Sequence, residues 1–135
     1  MCVRRLVTTL VHAFVGWALC FATMGIGMTA TSLENALIVH AIGAPVYFSI
    51  LSLSYFRRYS DANPLRTATV FVGFVMVVDF FLVALVIQRS LDMFASALGT
   101  WIPFALIFSS TYLTGLNATR DSARAGSHPS SQRAE

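Results

Sequence analysis

Residues 67–88 read TATVFVGFVMVVDFFLVALVIQ, a run of 22 residues whose sole charge is Asp79. Wound as a helix at 1.5 Å per residue, such a run covers about 33 Å, enough for the roughly 30 Å hydrocarbon core of a bilayer. Its apolar side chains occupy every face, so water is the wrong solvent for it. Three more runs of the same kind lie outward from it, at 6–29, 33–56 and 91–116. The connections between them are short: a turn at 29–34, a polar loop at 57–66 holding Asn63-Pro64, and a tight turn at 88–92. Asn-Pro favours a turn. The expected fold is an all-α membrane protein, a four-transmembrane-helix bundle formed by residues 1–116. Residues 117–135, rich in Ser, Ala and Arg and without a hydrophobic period, are expected to be a disordered cytoplasmic tail.

Composition agrees with a lipid solvent. Charged residues make up 11% of the 135-residue chain and hydrophobic ones 56%, whereas a soluble domain carries about 25% charge. The basic residues are all arginine. They sit at loops and ends, with no basic patch interleaved with aromatics, which argues against a nucleic-acid partner. Arg4, Arg5, Arg57, Arg58, Arg66, Arg120, Arg124 and Arg133 share one side of a four-span topology, and Arg89 alone takes the other. Cytoplasmic loops hold the excess of positive charge. Both termini are therefore expected inside, in a multi-pass protein of the cell (inner or plasma) membrane. Arg4-Arg5 and the apolar run behind them invite comparison with a signal peptide. The run exceeds 20 residues, against roughly 7–15 for a signal core, so it is read as a retained span. Cys2 and Cys20 are not expected to pair, and no metal-binding spacing such as C-x-x-C occurs.

An internal echo runs through the chain. Phe14-Val15-Gly16-Trp17 matches Phe71-Val72-Gly73-Phe74, and residues 37–44 align with 93–100 without a gap, with Pro45 and Pro103 following. This suggests a tandem duplication of a two-helix hairpin about a pseudo-two-fold axis along the membrane normal. The small alphabet of membrane helices offers chance as the other explanation.

Intramembrane polar groups are costly and need a reason. Asp79 lies about twelve residues into its span, about 18 Å along the axis, hence roughly 12 Å from the outer edge of the core. His40, about seven residues into its own span from the outside, lies roughly 10 Å below the same edge. A His40–Asp79 pair at one depth is therefore the first candidate site. Ala36, Gly43 and Ala44 place small residues around His40 and mark an inward face, which Tyr47 continues. The neighbours of Asp79 on its own helix are apolar, so its partner must come from another helix. His12 lies nearer the inner edge on a ridge of Thr8, Gly16, Cys20 and Met24, opposite a bulky stripe of Leu10, Phe14, Trp17 and Phe21 suited to lipid. A hydroxyl on the fourth helix, among Ser109, Ser110 and Tyr112, is the expected partner of His12. At the outer rim Glu34, Arg89, Asp92 and Trp101 gather, with Arg89 expected to pair with Asp92 or Glu34, and Trp101 in or just below an aromatic belt.

Three functions follow. The first is transport or proton and ion relay through His40 and Asp79, with Pro45 and Pro103 breaking helices to line a cavity. The second is a non-catalytic accessory or structural subunit of a membrane complex. The third is a haem-binding electron-transfer protein. A haem held by both His12 and His40 fails because their depths differ by about 11 Å, which leaves one histidine with Met24, Met28 or Met76. No hydrolase or transferase motif is present, so no enzyme and no resident cofactor or metal is expected. The expected partners are the lipid bilayer and a second copy of the chain or a larger membrane complex, since four helices make a thin wall.

Overall fold

The computed structural model describes residues 3–95 and 97–126. Four long helices, each apolar enough to cross a membrane, pack as a bundle. α1 (Val3–Ala30) turns at Thr31 and Ser32 into α2 (Leu33–Arg58). Ser32 caps α2, and its hydroxyl accepts from the Asn35 amide. Glu34 in the first turn and Arg57 and Arg58 in the last suit the helix dipole. α3 (Pro64–Val78) begins three residues earlier than the apolar run, because Asn63 caps it and Pro64 fits the first helical turn, where no amide is needed. At Asp79 the winding widens, and Asp79–Gln88 is π-helical. Arg89, in a left-handed conformation at φ 51°, ends the segment.

The fourth span differs from the single helix expected over 91–116. A short α4 (Asp92–Ala95) is followed by a π-turn, Ala97–Trp101, and then by α5 (Ile102–Gly126). The wide turn precedes Pro103, which has no amide to bond back and whose ring crowds the carbonyl four residues earlier. Pro45, expected to break α2, lies inside an unbroken helix. The tail also departs from expectation. α5 continues past Leu116 to Gly126, because the span has already borne the nucleation cost and Ala and Arg propagate a helix well. The rest of that tail, residues 127–135, and Cys2 lie outside the described residues.

Each long helix touches two others, in the ring order α1, α2, α5, α3. The helices related by the sequence echo, α1 with α3 and α2 with α5, are thus neighbours. A two-fold axis along the bundle would set each helix diagonally across from its counterpart, so the ring order does not fit that axis.

The interior holds Ala13, Trp17, Cys20, Ala44, Phe48, Phe71, Val75, Phe104 and Ile107. Large apolar side chains also cover the outside: Ile42 is 64% exposed, Phe81 60% and Val86 61%. That inversion of a soluble protein suits a surface facing lipid. Glycines set the helix spacing. A Cβ on Gly16 would lie 2.6 Å from Phe48 Cζ. One on Gly115 would lie 2.6 Å from Phe56 Cζ and 2.7 Å from Cβ of the rigid Pro64 ring.

At the loop end Arg5 Nη2 donates to both oxygens of Asp61, at 2.8 and 2.7 Å. The guanidinium also lies 5.3 Å from the centre of the Tyr59 ring. Arg5 holds the exposed Asp61 carboxyl below its ordinary value of 3.8. A lowered folded-state value means that the clasp contributes fully above that pH and is lost as the pH falls below it.

Two substitutions separate tight from open glycines. Gly115→Ala should destabilise the bundle by about 1–3 kcal/mol, the usual range for overpacking. Gly73→Ala, where a Cβ meets nothing within 4 Å, should leave thermal unfolding in detergent unchanged. Equal melting temperatures for the two variants would contradict the packing described.

Candidate functional site

The half-buried Asp79 carboxylate finds its partner on α1. Trp17 Nε1 donates to Asp79 Oδ1 at 2.8 Å. Trp17 is 7% exposed, contrary to the lipid-facing position expected from its stripe. Phe14 and Phe21 do remain on the outside, and Trp17 stacks on Phe21 with ring centres 5.4 Å apart. An indole carries one polar atom at the edge of a large apolar body. Turning inward lets that N–H meet the lone carboxylate while the rest of the ring fills the core. The buried Cys20 thiol, one turn farther along α1, lies within electrostatic reach of Asp79. No hydrogen bond to Asp79 Oδ2 is seen among the described residues.

His40 and Asp79 are not joined by a hydrogen bond. The His40 ring lies near the backbone carbonyl of Cys20, and its buried Nδ1 has no hydrogen-bond partner among the described residues. Both residues nevertheless face one stretch of α1, Asp79 at Trp17 and His40 at Cys20, about 4.5 Å farther along the axis. Tyr47, two turns further down α2 on the same side, ties that helix to α1. Its hydroxyl lies 3.0 Å from Thr23 Oγ1, and its ring covers Gly43. The result is a polar thread along the α1 face, from Asp79 through Cys20 and His40 to Thr23 and Tyr47.

The remaining candidates lie apart from that thread. His12 Nδ1 bonds the Thr8 carbonyl of its own helix at 2.8 Å, and the ring meets Tyr55 edge-on at 5.7 Å. The expected fourth-helix hydroxyl is not its partner, because Tyr55 on α2 occupies that side. Tyr55 and His40 are fifteen residues apart on one helix, about 22 Å along its axis, so the two histidines do not flank a common site. Glu34 is exposed at the start of α2. Arg89 pairs with neither Asp92 nor Glu34, and the ion pair seen among the described residues is Arg5–Asp61. The Asp92 amide bonds instead to Ser90 Oγ at 3.0 Å, while the Arg89 backbone is committed to ending the π-helix. Trp101 is largely exposed beside Phe104.

Sequence reasoning missed Trp17. The signal that would have found it is arithmetic: a deep carboxylate with no polar neighbour on its own helix, and a deep indole N–H with none on its own. No group of three His, Cys, Asp or Glu side chains that could hold a metal occurs among the described residues. Comparisons with protein-family models, curated proteins and solved structures give no match for the chain.

Trp17→Phe keeps an aromatic, though smaller, side chain and removes the donor. It should cost about 1–3 kcal/mol by leaving a desolvated carboxyl unpartnered. Asp79→Leu should remove most of that penalty when combined with Trp17→Phe. A double-mutant cycle by thermal unfolding in detergent reads the coupling; strict additivity would mean the bond contributes nothing.

Proposed function

We propose that the chain is a small multi-pass transport or proton-relay protein of the cell membrane, with Asp79 as the group that takes up and releases a proton or cation. The supporting observation is the single bond from Trp17 Nε1 to Asp79 Oδ1 in a closely packed interior. A carboxylate retained at that depth, against an insertion cost of about 2.5–3.5 kcal/mol, calls for use beyond packing. Asp79 also begins the π-helical stretch, a type of winding frequent at functional sites. His40, with an unpartnered Nδ1, is the next station along α1 and serves as the titrating relay. Arginine placement sets the orientation, with both termini and the 57–66 loop in the cytoplasm. Four helices form a thin wall, so a second copy of the chain completes the path. In this reading the protein is not an enzyme.

The accessory-subunit reading is favoured by one observation. Trp17, Cys20, Val75 and Ala84 are all buried, and the loop-end hollows do not include His40 or Asp79. There the Trp17–Asp79 bond fixes helix pairing instead of carrying an ion, and a partner chain provides the activity.

Reconstituted into vesicles under a pH gradient, the full chain should conduct protons or exchange them for a cation. Asp79→Asn should abolish the flux and His40→Ala should slow it by at least about tenfold, the scale on which a positioned proton-transfer group acts. Undiminished flux through Asp79→Asn rejects the relay. Absence of flux in the parent chain, together with stoichiometric co-purification of another protein from native membrane, establishes the accessory role. A visible absorption band in that preparation would indicate haem.

A further inference from the structure

At the loop end the bundle opens into a hollow of about 190 Å³ between the starts of α1 and α3 and the end of α2. Arg5, Asp61 and Arg66 stand at its polar side, Tyr55 and Thr67 form its floor, and Val70 forms an apolar wall on α3. The floor is already committed. The Tyr55 and Thr9 hydroxyls are bonded at 3.0 Å, and Thr67 Oγ1 donates to the Asn63 carbonyl. The rim is not. Arg5 gives Nη2 to Asp61, which leaves the N–H groups of Nε and Nη1 for another acceptor. No carboxylate pairs with Arg66 among the described residues.

Charge and position narrow the occupant. Seven described arginines lie at this end of the bundle (Arg4, Arg5, Arg57, Arg58, Arg66, Arg120 and Arg124) against two carboxylates, Asp61 and Asp121. Guanidinium groups match the geometry of a phosphate, which accepts two parallel bonds. The hollow lies where the polar loop meets the spans, and Val70 leads from it down the apolar side of α3. A free anion would use the rim and leave that wall bare. A lipid uses both, its phosphate between the arginines and its acyl chain along the helix.

We propose that this hollow is a binding site for the headgroup of an anionic phospholipid, held by Arg66 and by the unengaged donors of Arg5. Asp61 limits the affinity, because its charge neutralises the Arg5 guanidinium that would otherwise bind the lipid fully. The inference rests on the bilayer setting of the four spans and is independent of Asp79, so an absence of proton flux would leave it standing.

The test is native mass spectrometry of the full chain in detergent with equal amounts of phosphatidylglycerol and phosphatidylcholine. The parent chain should retain phosphatidylglycerol selectively. Arg66→Gln should lower that retention about fivefold, the worth of one arginine at a charged surface. Arg120→Gln makes the same change of charge outside the hollow and should leave retention unchanged. Asp61→Asn should raise it, an effect that misfolding cannot imitate. Millimolar inorganic phosphate should not displace the lipid. Equal retention of the two lipids, equal loss in Arg66→Gln and Arg120→Gln, a fall in Asp61→Asn, or displacement by phosphate would each overturn the proposal.

Discussion

In hydrocarbon no hydrophobic effect draws one helix onto another, because lipid tails are as apolar as the side chains they would replace. The bundle therefore depends on close contact, and close contact depends on missing side chains. Phe48 fits against Gly16, and Phe56 with Pro64 against Gly115. The two glycines serve different seams, one between α1 and α2, the other where α5 meets the end of α2 and the start of α3. Each large aromatic ring is accepted by the backbone of a neighbour, so the interior forms by insertion, with Phe48 and Phe56 fully enclosed.

Hydrogen bonding is distributed unevenly over this frame. α1 supplies one side of the bonds to Asp61, Tyr59, Tyr55, Asp79 and Tyr47. It is pinned at intervals from the loop end to its far half. α5 is held differently: Ser110, Thr119 and Ser122 bond carbonyls of their own helix, and the buried Thr111 hydroxyl has no partner among the described residues. Ser52, buried on α2, is likewise unpartnered. It lies one turn before Phe56, as Thr111 lies one turn before Gly115, and Phe56 meets Gly115. The seam between α2 and α5 is thus held by shape, whereas the seams made by α1 are held by directed bonds. A rotation of α1 would unmake the arrangement around Asp79.

The apolar runs made the four candidate spans legible, since their length and composition together suit a bilayer, and α2 and α3 begin at recognisable caps. Helix ends and interior winding were less legible. The extension of α5 to Gly126 depends on propagation from a span already formed, which a hydrophobic pattern does not record. The π-helical winding after Asp79 has no counterpart in residue spacing. The inward face of α2 followed from its small residues: Ala36 and Ala44 are buried and Gly43 is half-buried. The Asp79 partner was misjudged because two deep polar groups were matched by depth. Depth fixes one coordinate of three, and ring order and helix rotation fix the others. α2 and α3 lie diagonally across the ring, so His40 and Asp79 both point toward α1 instead of toward each other.

That diagonal placement bears on what the polar thread can do. A direct histidine–aspartate pair would hold a proton between two groups and resist its movement. Here α1 stands between them, with Trp17 as donor to one and the Cys20 carbonyl beside the other. In the proposed relay, a proton passing from Asp79 to His40 would cross the width of one helical turn, and Oδ2, to which no hydrogen bond is made among the described residues, would give or take it while Trp17 stays bonded to Oδ1. The indole bond fixes where the carboxyl stands against α1. Any motion that turns α1 by a fraction of a residue step changes the Trp17–Asp79 bond and the surroundings of His40 together, because both are borne by the same turn of the same helix.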